Sequence, residues 1–145
     1  MNLKRFLEVF KNSEKVSEEK FGFNFLIQTK NDKIPEDIKE RCYEKCLEDS
    51  RSAYYLRIFI EDLPEDIKRL AEKKCCEDSE WAYRLRRDVK DLPEDIKRKA
   101  EEKCLESSQW AFYLRRFVKD LPEDMKIKTK LKACEDPIYK RLIVI

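Results

Sequence analysis

Six cysteines and no histidine frame the chemistry open to this chain. Thiolates hold zinc when four of them converge in tight knuckle spacings. Cys42 and Cys46 stand one helical turn apart, and Cys75 and Cys76 are the nearest further thiols, a looser set than a zinc knuckle. No metal site is therefore expected. Cys46, Cys75 and Cys104 instead recur every 29 residues. That interval suits small apolar side chains at equivalent core positions. Equivalent positions on packed helices lie about 8–10 Å apart, beyond the roughly 7 Å a disulfide spans between Cα atoms. Without histidine, the commonest general base and the commonest neutral metal ligand are both missing. Gly22 is the single glycine and cannot build a phosphate-cradling loop. Carboxylates are plentiful, but Glu36-Asp37, Glu65-Asp66, Glu94-Asp95 and Glu123-Asp124 each follow a proline. Acidic residues there complement a helix N-terminus rather than form an acid/base pair. The chain reads as a non-enzyme with no cofactor.

Aromatic and guanidinium groups remain. Tyr54, Tyr83 and Phe112 share one column of the 29-residue period, and Arg57, Arg86 and Arg115 share another. Arg87 and Arg116 lie beside the second column. Tyr and Arg dominate binding hot spots, so Tyr54, Arg57, Tyr83, Arg86, Arg87, Phe112, Arg115 and Arg116 are the expected partner-binding set. On a helical wheel Tyr83, Arg86, Arg87 and Lys90 fall opposite Trp81, Leu85 and Val89. Stacked repeats would lay them out as an aromatic ridge beside a ladder of guanidinium groups. A packing reading stands next to this one: each ring sits on a neighbouring helix and its Arg stacks on the ring.

These side chains depend on a repeat for their positions. Ile34-Pro35-Glu36-Asp37-Ile38-Lys39 returns as Leu63 to Lys68, as Leu92 to Lys97 and, with Met125, as Leu121 to Lys126. A period of 20–50 residues marks a stacked array of supersecondary units. Within one unit, Leu92, Ile96, Ala100 and Cys104 form an apolar stripe on a first helix, A. Pro93 is expected in its first turn, and Asp91 with Glu94 has capping-box spacing, as do Asp62 with Glu65 and Asp120 with Glu123. Asp49-Ser50, Asp78-Ser79 and Ser107-Ser108 supply caps for a second helix, B. Helix B carries Trp110, Ala111, Leu114, Phe117 and Val118 on one face, with both Trp residues, 81 and 110, in the core. Helix A should run about 13 residues and helix B about 12, each near 20 Å long. Ala71 and Ala100 on A, and Ala53, Ala82 and Ala111 on B, mark where the two cross closely.

The expected fold is all-α: an α-solenoid of antiparallel helix pairs with a 29-residue repeat and about eight to ten helices. Four helical hairpins, 34–62, 63–91, 92–120 and 121–145, follow a degenerate N-terminal capping repeat at 1–33, all in one continuous domain. In that first segment Phe23 and Ile27 fall in the Trp and Leu columns, while Phe21, Phe23 and Phe25 alternate like a strand. Leu142-Ile143-Val144-Ile145 is an apolar terminus that packs on the last repeat or on a second copy, which would make a homo-oligomer.

Charge narrows the partner. The chain has 33 Lys+Arg against 31 Asp+Glu, and residues 63–91 hold eight of each sign. A dedicated polyelectrolyte binder shows a clear basic excess. No apolar run is long enough for a membrane span, and the first residues lack a secretory apolar core, so a soluble cytoplasmic protein without a membrane partner is expected.

Asp95-Ile96-Lys97-Arg98-Lys99-Ala100, followed by an apolar helix, resembles short HEAT-like repeats over about residues 34–145. The resemblance implies a right-handed superhelix of helix pairs used as a recognition scaffold. Some arrays of that family bind proteins, and a few enzymes use the scaffold on modified bases or pigments. This unit is shorter, lacks the usual Gly turns and adds Trp81 and Trp110. Tetratricopeptide repeats match less well, because 29 is not 34 and their Gly and Tyr positions are missing. The leading functional expectation is a scaffold that holds a protein or peptide on its B-helix face. The alternative is nucleic-acid binding through the same Arg and Tyr residues, with the rings stacking on bases.

Overall fold

Each Pro-Glu-Asp segment starts a helix, and each Asp-Ser or Ser-Ser segment starts the next one. The computed structural model describes residues 26–27 and 34–144. Among residues 34–144 it has eight helices: α1 (Glu36–Cys46), α2 (Ser50–Phe59), α3 (Glu65–Cys75), α4 (Ser79–Asp88), α5 (Glu94–Cys104), α6 (Ser108–Phe117), α7 (Glu123–Ala133) and α8 (Pro137–Val144). No strand occurs among the described residues. The fold is all-α, with neighbouring helices packed on one another as in an α-solenoid. The expected capping repeat at 1–33 and the alternating Phe21, Phe23 and Phe25 lie outside the described residues, apart from Leu26 and Ile27. Leu26 is buried and Ile27 is exposed.

The A helices differ from expectation at their starts. Pro35, Pro93 and Pro122 precede the first helical residue instead of occupying the first turn, and no side chain caps these ends. The proline carbonyl accepts the first helical bond, from Lys97 N at 2.9 Å in α5 and from Lys126 N at 2.9 Å in α7. The capping boxes of Asp91 and Asp120 are therefore not made. Proline holds the N-cap position that the box assigns to Asp, and Asp120 is drawn to Arg86 at 3.2 Å. Starting after the proline leaves α5 with 11 residues, and α6, which runs from the Ser107 cap to Phe117, has 10. B-helix caps form as the sequence reads. Asp49 accepts from Ser52 N at 2.8 Å, Asp78 from Glu80 N and Trp81 N, and Ser107 from Trp110 N. Replacing such a cap by Ala costs about 1 kcal/mol.

Two compact units divide the chain, Met1–Ala71 and Glu72–Ile145. In the first, α1 packs on α2, with Ile38, Cys42, Cys46, Ala53, Tyr54 and Leu56 buried. In the second, the most extensive packing joins each B helix to the following A helix, α4 to α5 and α6 to α7. Its core gathers Ala82, Tyr83, Ala100, Cys104, Leu114, Val118, Leu121 and Met125. Ala82, Ala100 and Ala111 have no exposed surface, as a close helix crossing requires. The A column ends on Thr129, whose hydroxyl stays buried by donating back to Met125 O at 2.7 Å.

Candidate partner-binding face

The Tyr/Phe column does not point outward. Tyr54, Tyr83 and Phe112 are all buried. Arg86 is only 4% exposed; its Nε donates to Glu101 Oε2 of α5 at 2.9 Å and its Nη2 reaches Asp120 Oδ1 at 3.2 Å. The wheel placed Tyr83 and Arg86 opposite the core, and the structure corrects this. Packing of α4 against α5 buries the side of the B helix that carries Tyr83 and Arg86, and Glu101 provides the counter-charge that makes a buried guanidinium tolerable. The Trp column swings the other way. Trp81 and Trp110 are half-buried, with the Arg84 guanidinium 5.0 Å from the Trp81 ring centre.

The remaining expected residues are more open. Arg57 and Arg87 are half-buried, and Arg115 and Arg116 are exposed. Arg87 makes paired bonds to Asp88, at 2.7 and 3.0 Å, and lies 5.2 Å from the Tyr83 ring centre. Its pKa is raised even above the usual guanidinium value, first by the Asp88 hydrogen bond. Arg115 escapes burial for a legible reason. Fifteen residues after Arg86 stands Glu101, whereas fifteen after Arg115 stands Lys130, so α7 offers no carboxylate in that register.

Sequence reasoning passed over the aromatics on the outward side of α6. Tyr113 and Phe117 stack with ring centres 6.1 Å apart, and Phe117, expected in the core, is 51% exposed. Arg116 lies over both Phe117 (5.7 Å) and Phe112 (6.0 Å). Behind them Trp110 bridges Tyr83 (5.5 Å) and Tyr113 (5.4 Å), and Tyr139 of α8 abuts Phe112 (5.0 Å). A continuous aromatic layer thus backs the stacked pair, of which Tyr113 is half-buried and Phe117 exposed. One signal in the sequence marks it: an aromatic i, i+4 pair that occurs at Tyr55/Phe59 and again at Tyr113/Phe117. The Tyr55 and Phe59 rings also stack at 6.1 Å, with Phe59 exposed.

Burial and ion pairing shift several titratable groups of the chain. Partial burial raises the Asp120 carboxyl, but the charge and hydrogen bond of Arg86, with a backbone hydrogen bond and Lys97, outweigh it and hold its pKa below the ordinary value. Burial pushes the Cys42 and Cys46 thiols up to about 12 and Cys76 up to about 11, with Arg41 opposing at Cys42 and Lys99 opposing at Cys76. Protonated thiols are poor nucleophiles and poor metal ligands. Among the described residues no group of three or more Cys, Asp or Glu is placed to hold a metal ion. Cys76 also lines a cleft of about 390 Å³ with Lys73, Lys99, Glu102, Lys103 and Glu106, in which Lys103 is paired with Glu106.

Fold and repeat together define a helical-repeat protein. Comparison with protein-family models, with curated proteins and with solved structures gives no match to this chain. Among the described residues no helix is long and apolar enough to cross a membrane.

Proposed function

We propose that this protein is a non-enzymatic, cytoplasmic helical-repeat scaffold, of short HEAT-like type, that binds a protein or peptide partner on the outward face of α6. One observation carries the proposal: the exposed Phe117 ring stacked on half-buried Tyr113, with Arg116 lying over Phe117 and Arg115 exposed on the same helix. Rigid aromatic surface beside guanidinium groups is the usual composition of a binding hot spot. The aromatic layer of Trp110, Phe112 and Tyr139 fixes the pair in place, so little side-chain entropy is lost on binding. A partner segment with a carboxylate next to an apolar or aromatic side chain complements this face.

Panning a random peptide library on the full chain, followed by anisotropy titration of the selected peptides, tests the reading. Arg115→Glu with Arg116→Glu, or Phe117→Ala, should weaken the selected peptides at least about tenfold, the loss expected at a hot spot. Tyr83 and Arg86 are buried and belong to the frame beneath the site. Affinity unchanged in both variants would refute the proposal. The nucleic-acid alternative has its own observation, the exposed Phe117 ring beside Arg115, Arg116 and Lys119. It predicts single-strand binding that falls steeply with salt.

A further inference from the structure

A second face departs from the repeat in the opposite sense. On the A helices, the column that Ile127 continues holds Arg69 and Arg98, and Leu131 follows Lys73 and Glu102. On the B helices, Ile138 follows Glu80 and Gln109, and Leu142 follows Arg84 and Tyr113. All but one of these eight earlier residues are charged or amide side chains. In the α7–α8 hairpin all four positions are aliphatic and open to solvent: Ile127 61%, Leu131 66%, Ile138 66% and Leu142 47% exposed. Scattered apolar residues on a surface need no explanation, but four in one hairpin, at columns that are mostly polar in the units before, do.

The register also says what these columns touch. Arg98 of α5 bonds Asp124 of the following A helix, at 3.2 Å through Nη1. Tyr113 of α6 packs on Tyr139 of the following B helix, with ring centres 6.4 Å apart. Two of the four columns are thus seen meeting a following helix. Ile127 and Leu131 lie on the side of α7 opposite its buried stripe of Met125, Thr129 and Ala133. Lys128 and Lys130 flank them on the wheel, and Arg141 flanks Ile138 on α8; all three are exposed. Asp124 and Glu135 border the same side, but Asp124 is held by Arg98 and Lys128 and Glu135 by Lys132, so the rim keeps a basic excess.

We infer that this face of the α7–α8 hairpin docks an amphipathic helix that carries acidic residues beside its apolar stripe. A helical occupant follows from the register, because these columns meet helices elsewhere in the chain. Acidic flanks follow from the rim, which a lysine-edged second copy would repel. This face is distinct from the α6 surface and does not depend on it.

The test uses the full chain and a fluorescein-labelled helical peptide about 20 residues long, long enough to hold its own structure. Leu lines one side of the peptide and Glu flanks the Leu stripe. A twin with Lys in place of Glu and a scramble of the same composition serve as controls. The acidic helix should bind and both controls should bind at least about tenfold more weakly. Ile127→Glu with Leu131→Glu should abolish the interaction. Lys128→Glu with Arg141→Glu, which leaves the apolar residues intact, should invert the preference toward the Lys peptide. Arg115→Glu with Arg116→Glu should leave it unchanged, which separates this face from the α6 site. Equal binding of acidic helix and scramble would overturn the inference. So would a dimer in sedimentation that Ile127→Glu dissociates, or binding to phosphatidylserine vesicles with no affinity for the peptide.

Discussion

Removing the carboxylate of Glu101 is the sharpest perturbation the structure offers. Arg86 and Glu101 are 4% and 2% exposed, and a 2.9 Å bond joins α4 to α5 through them. Glu101→Ala leaves a buried guanidinium whose remaining counter-charge among the described residues is Asp120, a side chain 66% exposed at the rim. Breaking a buried pair from one side costs about 3–5 kcal/mol. Because Asp120 still answers one end of Arg86, the lower part of that range applies, about 3 kcal/mol, or more than a hundredfold in the folding equilibrium. A small domain loses about 1–3 kcal/mol of stability per molar urea, so the midpoint should fall by about 1–3 M. Asp120→Ala should cost under about 1 kcal/mol, since solvent screens an exposed carboxylate. The double variant Arg86→Met/Glu101→Leu should return to within about 1 kcal/mol of the parent, because apolar replacement of a buried pair removes both desolvation costs. Urea titration followed by circular dichroism gives all four values. A loss below 1 kcal/mol for Glu101→Ala at unchanged slope, or a double variant no better than the single one, would refute a buried Arg86–Glu101 unit. It would also return Arg86 to the list of residues free to meet a partner.

Two further outcomes follow from the same packing. Leu85 has no exposed surface in α4, so Leu85→Ala should cost about 2–5 kcal/mol in a denaturant titration, and a loss under 1 kcal/mol would contradict its burial. The Asp120 carboxyl sits below its ordinary pKa in the folded chain, as does Asp124, held first by its hydrogen bond to Arg98. In the acid range the unfolded chain then binds more protons than the folded one. This contribution is complete above the ordinary carboxylate value near pH 4 and disappears as pH falls through the lowered folded pKa values. Thermal midpoints should drop below about pH 4, and Asp120→Asn with Asp124→Asn should flatten that drop. An identical acid slope in the variant would rule these two groups out as its source.

The helices were legible because their punctuation is local. A proline followed by two acids starts each A helix, an Asp or Ser caps each B helix, and the Ala and Cys columns fix the buried side of A. The buried side of B was not legible from the same rules. A wheel centred on Trp110 and Phe117 treats the helix as if it had one neighbour, whereas α6 packs on α4, α5, α7 and α8. Tyr83 and Arg86 have apolar bodies long enough to be buried when the next A helix supplies a partner, and their residue types alone do not say whether it does. The signal that would have decided the case is a pairwise one. Arg57 with Glu72, and Arg86 with Glu101, share a spacing of fifteen residues. A glutamate recurring immediately after the small A-helix column, at Ala71-Glu72 and Ala100-Glu101, has no solvent-facing explanation.

That pairing rule also explains why the candidate sites lie where they do. Where α5 supplies Glu101, the guanidinium of Arg86 becomes part of the frame. Where α7 carries Lys130 in the same register, Arg115 is left at the surface beside Arg116 and Phe117. The aliphatic substitutions at Ile127, Leu131, Ile138 and Leu142 fall in that same hairpin. A repeat is stable because its columns agree from one unit to the next, so positions that break agreement without filling a core contribute little to folding. Here those positions, Phe117 and the four aliphatic residues, join Arg115, whose column agrees in residue type but not in burial: all are exposed, and their side chains are of the kinds that bind. Both proposed binding surfaces therefore fall within residues 108–144, and the conforming unit before them holds α6 in place, with Tyr83 packed against Trp110.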